Sequence, residues 1–448
     1  MKMMTETISA QPVDCLPGFD EALFEEIRRA GEPPVLAAKR EAAFRDYLGI
    51  ASPTQRDEEW RRTDPALFPL GQVRRLPTLP RVDPLPEQAG DEAFDTVVAV
   101  RADGFAVMHR NDAAERLGIT VLPLAEAAEQ QPDKVEAYLQ GQALPEQSGK
   151  YEAFNQAFWN FGLFVHIPAD VEWERGLLIR YDMDQPDALL IPRLVVVAGA
   201  RSRAVVTECM RSADRIRFVA VPERELYVDE GAHFKLVSLQ EWGDRSHQIT
   251  NDWGRVQRDA NLNWITLNFG SARSKMKFGS DVAGPGSAAD MDGIFFASGK
   301  QHMDQRTLQI HSSPDTYSRL LYKGAVKDTG RSVYQGLIIA RPGAIRVDAY
   351  QTNNNLVLNE GARADSIPGL LIDADDLKCS HGSTTGNLDP EQLFYLQSRG
   401  LSQAEARRAL ILGFFSEVVD RIPQPHLRTH VQGLIEAKMK EASDESGQ

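Results

Sequence analysis

The chain has 448 residues, 42% of them hydrophobic and 25% charged, with a formal net charge of −14 at pH 7. These are the proportions of a soluble globular protein too long for one ordinary core, so roughly three domains are expected. The acidic balance argues against a nucleic-acid partner, and no stretch has the apolar length of a secretion signal or a membrane span, which points to a cytoplasmic protein.

Residues 1 to 145 read as a helical domain. "GFDEALFEEIRRAG" and "PPVLAAKREAAFRDYLG" carry apolar residues at helical spacing and end at glycine. "DEEWRRTDPALFPL" follows, with Trp60 expected as a packing anchor. The Pro-rich "LPTLPRVDPLPEQAG" is expected to be an extended connector.

From 146 to 384 the helical period gives way to short alternating segments such as "RAVVTECM", "HFKLVSLQEW", "NLNWITLNFG" and "SVYQGLIIA", each with the period of two of a half-buried strand. Small-residue corners precede many of them: Gly199-Ala200, Gly231-Ala232, Asp259-Ala260, Ser287-Ala288, Gly343-Ala344 and Gly361-Ala362. Up to Ala288 they recur at about 30 residues, a period that signals stacked coils, and beyond it the spacing becomes irregular. A solenoid and a β-sandwich both remain open on this pattern.

Residues 385 to 448 are helical again. "DPEQLFYLQSRG" offers Asp389 as N-cap, Pro390 at the first helical position and Gly400 as the stop. "LSQAEARRALILGFFSEVVDRIP" opens with a capping box from Ser402 to Glu405. Its stripe of Phe414, Phe415, Val418 and Val419 exceeds what so thin a layer buries by itself, so these side chains are candidates both for covering the last coils and for docking a partner.

The chemistry-bearing motifs are few. "GIFFASGKQ" departs from a phosphate-cradling loop: the glycine spacing is one residue too long, and Gln301 stands where the magnesium-holding hydroxyl should be. Asp373, Asp375 and Asp376, with Asp290, Asp292 and Asp304, could form the paired carboxylates of a glycosidase only if the fold held two of them across a sugar-sized gap. Cys15, Cys209 and Cys379 lie far apart with no CxxC, which argues against disulfides and a self-contained zinc site. In "LKCSHGSTTGNLD", Cys379 and His381 point the same way if the segment is extended. They suit a soft metal or cluster better than a nucleophile and its base, but two ligands do not close a site. A structural cysteine beside a surface histidine is the alternative.

The run "IDADDLKCSHGSTTGNLDPEQLFYLQSRGLSQAEARRALILGFF" resembles the C-terminal signature of the SufB/SufD family of iron–sulfur cluster assembly proteins. Its Cys-Ser-His-Gly form is similar to the SufD branch, and "DEEWRRTD", "FNQAFWNFGLFVHIP", "QHMDQRTLQIHSSPDTYSRLLYKG" and "DAYQTNNNLVLNEGARADSIPGLLID" extend the resemblance over most of the chain. The resemblance implies a right-handed parallel β-helix core between helical N- and C-terminal domains. It also implies a non-catalytic scaffold that pairs with a SufB-like subunit through the β-helix. A SufC-like ABC ATPase would bind through the C-terminal helices, and the isolated chain could form a homodimer. His381 matches a family histidine implicated in cluster building at the subunit interface, as a transient metal ligand or proton carrier; Cys379 matches the neighbouring family cysteine. No cofactor is expected to stay bound, the iron–sulfur cluster being a transient passenger of the complex. The Cys-Glu-His-Glu form of many SufB sequences is missing here. The alternative is a SufB-type subunit that itself accepts persulfide sulfur and carries the nascent cluster.

Overall fold

The computed structural model describes residues 14–83, 85–139 and 149–440. At its centre, two sheets of parallel strands wind into a β-solenoid of about 8 turns. One sheet runs Phe161–Ile167, Pro192–Ala198, Glu223–Val228, His247–Val256, Arg273–Val282, His302–His311, Arg331–Ala340 and Arg363–Ile372. The other runs Glu172–Met183, Arg203–Ser212, His233–Glu241, Asn261–Asn268, Ala288–Ala297, Tyr317–Val326, Asp348–Val357 and Lys378–Gly386. The chain alternates between the sheets, so each strand pairs with its counterpart one coil away; His233 is in register with Arg203 on one side and Asn261 on the other.

The expected corners are where the coils turn. Ala232, Ala260 and Ala344 are buried there, since a tight bend around a packed interior leaves room for little more than a methyl group. Gly231 and Asp259 hold the left-handed conformation, at φ of 68° and 53°, which glycine and, among larger residues, Asn and Asp adopt most readily. After Ala288 the corner signature fades, yet the ladder continues unbroken from Ala288 to Tyr317, Asp348 and Lys378.

The first region is not purely helical, contrary to expectation. Helices Glu21–Arg29 and Pro34–Gly49 form as the periodicity predicts. However, "TVVAVRADGFAVMH" folds as an antiparallel hairpin, Thr96–Arg101 with Gly104–His109, and its first strand runs parallel to Glu172–Met183. Thr120–Pro123 pairs antiparallel with Phe161–Ile167. The physical reason is readable afterwards: Asp103-Gly104 between two apolar runs is a hairpin signal, and the hairpin covers an edge that the first coil would otherwise leave unpaired. The Pro-rich connector is extended, held by Leu76 N–H donating to the Leu189 carbonyl at 3.0 Å and Leu79 N–H to that of Asn160 at 2.9 Å. Trp60 is buried against Tyr151 and Phe68. Behind it, the Lys275 ammonium donates to Asp304 at 2.9 Å and to the Glu59 carbonyl at 2.7 Å, pinning this segment to the solenoid.

The C-terminal helices are Pro390–Ser398, Gln403–Val419 and Pro425–Lys440. The first is capped by Asp389, which accepts from Glu391 N–H at 2.9 Å, and the second by the Ser402–Glu405 box. Phe415, Val418 and Val419 pack with Ile422, Val431 and Ile435 onto the outward side chains Val237, Leu239, Ile265, Leu267, Ile294 and Phe296. These strands are therefore buried on both faces. Among the described residues, no helix is long and apolar enough to cross a membrane.

Candidate functional site

Lys378–Gly386 and Arg363–Ile372 end their respective sheets, and among the described residues no strand pairs with their free edges. Cys379 is in register with Ala349, and His381 with Gln351. Ala349 and Gln351 point into the solenoid and are buried, so in a parallel ladder Cys379 and His381 share that inward direction. The facing strand contributes Ser366, in register with Tyr334. The Ser383 hydroxyl donates to Ser366 Oγ at 2.7 Å, joining the two strands across the last coil. Among the described residues no further coil covers this face: His381 is exposed, Cys379 is half-buried, and Leu370, Leu371 and Ile372 are 40%, 49% and 37% exposed. The pair thus sits at the open end of an otherwise filled solenoid.

Cys379 packs beside Ile338, Ala344, Val347 and Ala349. Burial pushes its thiol up, opposed by a backbone hydrogen bond at Ala349, so at neutral pH it is kept as a thiol and is a weak nucleophile on its own. The other two cysteines lie elsewhere. Cys209 is on the outer face of its sheet, its thiol pushed up to about 12 chiefly by burial. Cys15 lies at the N-terminal helices, likewise raised by burial. Among the described residues, no group of three or more His, Cys, Asp or Glu is placed to hold a metal ion.

The remaining motifs resolve into structure. Gly293 lies inside the strand Ala288–Ala297, where a Cβ would come within 2.5 Å of the Tyr322 ring, so no phosphate loop forms there. Asp292 pairs with Arg421 at 2.6 Å beneath the C-terminal helices, and Asp304 is bound by Lys275 and Thr63. Those two carboxylates are engaged in holding the outer layers on the solenoid. Of the expected docking side chains, Phe415, Val418 and Val419 are buried within the chain and offer no surface, while Phe414 is half-buried. They also cover middle coils rather than the last ones, because the second and third helices run back along the solenoid. The exposed apolar residues lie instead on the first helix, Phe394 at 72% and Tyr395 at 56%.

Sequence reasoning missed the polar floor beneath the pair. Gln351, Asn353 and Asn355 occupy inward positions and are buried. The signal was present in "DAYQTNNNLV", where the period-two inward face is polar rather than apolar.

Comparison with known proteins places this geometry in context. The SUF system FeS cluster assembly SufBD core domain matches residues 181–414, and the SufBD protein N-terminal region matches residues 93–179. An iron–sulfur cluster assembly SufBD family protein of Mycobacterium tuberculosis is 36% identical over 236 residues, 51% of this chain and 57% of that protein. The chain thus spans little more than half the length of the mycobacterial relatives it matches. The iron–sulfur cluster assembly protein SufD of Escherichia coli is 28% identical over 88% of this chain and 90% of its own, and that of Bacillus subtilis 27% over 72% and 74%. The chain belongs to the SufBD family of iron–sulfur cluster assembly proteins, with SufD among its most fully aligned relatives.

Proposed function

We propose that this chain is a non-catalytic scaffold subunit of a SufB–SufC–SufD-type machine, contributing His381, with Cys379 beside it, to a cluster-building site that a SufB-like subunit completes. One observation carries the reading: both residues face into the uncovered last coil, whose two sheet edges are unpaired. A second β-solenoid meeting this end would satisfy the free edges, cover Leu370 and Ile372, and bring its own ligands to the pair. A homodimer could use the same end when the chain is alone. The iron–sulfur cluster is then the cargo of the joint site, and no cofactor stays with this chain. A SufC-like ABC ATPase supplies nucleotide hydrolysis and docks on the outward side of the C-terminal helices, where Phe394 and Tyr395 are exposed. The packing of Cys379, half-buried beside Ile338, Ala344, Val347 and Ala349, fits this scaffold role better than a subunit that itself accepts persulfide. This division of labour fits a cytoplasmic assembly.

The test is anaerobic assembly of the purified chain, alone and with SufB-like and SufC-like partners, with iron and sulfide quantified. Stoichiometric cluster only in the joint complex supports the scaffold. Labile iron and sulfide held by this chain alone would overturn it in favour of the SufB-type alternative.

A further inference from the structure

The interior of the solenoid changes character along its length. The early coils are filled by side chains such as Leu194, Val196, Val206, Leu226 and Leu236. In the last coils the inward positions turn polar, and most find partners there. The Thr307 and Tyr334 hydroxyls meet at 2.7 Å, Gln309 donates to Ser318 at 2.8 Å, and Asn355 donates to Asn353 at 2.7 Å.

Gln351 is different. It is fully buried, and both its amide nitrogen and its oxygen lack a hydrogen-bond partner. Its carboxamide reaches across the lumen to the opposite sheet, where a Cβ on Gly336 would lie 2.1 Å from the Gln351 Nε2. A glycine thus makes the room that this side chain fills. In register directly beyond Gln351, toward the open end, stands His381. A buried carboxamide with donor and acceptor both free is a group that ordered water satisfies.

We propose that Gln351 holds ordered water under the open end of the solenoid, and that this water hydrogen-bonds the inward ring nitrogen of His381. Gln351 is then a positioning residue, fixing the tautomer and orientation of the imidazole from the coil beneath. The inference rests on the cluster-building role proposed for His381 only for its purpose; the contact itself is independent of it. The titratable and charged groups on the elements packed around His381 are Lys378 and Cys379 on its own strand, and Asp348 and Tyr350 beneath it, with Arg319 bound to Asp348. Arg363 and Asp365 lie on the facing strand, and Asp373, Asp375 and Asp376 in the connecting corner.

The experiment uses the full chain with isotope-labelled histidines, the His381 signal being assigned by its loss in His381→Ala. Gln351→Met keeps the bulk of the side chain without its polar atoms. It should change the tautomer ratio of the His381 ring and abolish magnetisation transfer from long-lived water to that ring. Gln351→Asn should restore part of the wild-type behaviour. Gln305→Met removes another buried, unpartnered carboxamide that is not in register with His381, and should leave that ratio unchanged. An unchanged tautomer ratio in Gln351→Met, or an equal change in Gln305→Met, would overturn the inference. Should Gln351→Met fail to fold, magnetisation transfer from a long-lived water to the His381 ring in the unsubstituted chain decides the matter; its absence counts against the contact. A tautomer ratio that responds to Gln351 while cluster yield in the complex does not would leave this contact standing and refute the role proposed for His381.

Discussion

Ser383 and Ser366 meet at 2.7 Å across the last coil, so the two terminal strands are tied to each other before any partner arrives. The open end is therefore a preformed surface, and His381 and Cys379 are held on it by the ladder itself. His381→Ala should leave the fold and the complex intact while lowering cluster formation; Cys379→Ser should lower it less. Iron and sulfide content of the reconstituted complex checks this, and a normal yield with His381→Ala would remove the histidine from the site.

The second expectation concerns nucleotides. Gly293 is a strand residue packed on Tyr322, and Gly299 lies in a turn between two strands rather than before a helix. A phosphate cradle needs successive backbone N–H groups converging at a helix N-terminus. Calorimetry with ATP and magnesium should detect neither binding nor turnover by the purified chain, and tight binding would contradict the reading of this segment.

The third expectation follows from the burial of the C-terminal stripe. Phe415 is fully buried and its ring centroid lies 6.2 Å from that of Phe296, so Phe415→Ala should cost about 3–5 kcal/mol of stability. Affinity for an ATPase partner, measured where the variant remains folded, should be unchanged. Weakened binding without a lowered melting temperature would return Phe415 to the docking surface. Removal of Gln403–Lys440 should uncover Val237, Leu239, Ile265, Leu267, Ile294 and Phe296, producing a chain that binds apolar dye and self-associates.

The fourth expectation concerns pH. Burial raises Asp292 from 3.8 to about 6 against the pull of Arg421. A carboxyl raised in the folded state favours folding most when protonated. Its contribution is fully present below about pH 3.8 and lost as pH rises through about 6, a difference of about 3 kcal/mol at most. Arg421→Met removes the compensating charge. It should therefore destabilise the chain by roughly 1–3 kcal/mol at pH 7 and progressively less toward pH 5. Thermal melting across this range checks the sign; a deficit independent of pH would show that Arg421 acts through packing instead.

Much of the fold was legible because strands and helices announce themselves by period. The corners up to Ala288 suggested stacked coils while leaving a β-sandwich open, and Asp389, Ser402 and Glu405 marked helix starts that the structure realises. What escaped notice involves contacts between distant segments. The strand His233–Glu241 has no clean outward polar face, because Val237 and Leu239 lie under the C-terminal helices. The same contact turned the apolar stripe at Phe415 inward, which spacing alone could not reveal. Thr96–Arg101 was hidden inside a region dominated by helical pattern. The Cys379–His381 pair was visible as a motif, but its place at an open end depends on the register with Ala349 and Gln351, and register is a property of the assembled ladder.

The ladder also implies an order of events in folding. Successive strands pair with neighbours about 30 residues away, so coils can add one upon another with little loop-closure cost. The outer attachments span far more chain: Thr63 reaches Asp304 across 241 residues, and Gln424 reaches Thr207 across 217. Both can form only after the intervening coils exist. The N-terminal segment and the C-terminal helices are thus the last pieces to close. Native-state hydrogen exchange should accordingly show their amides opening before those of the coils they cover.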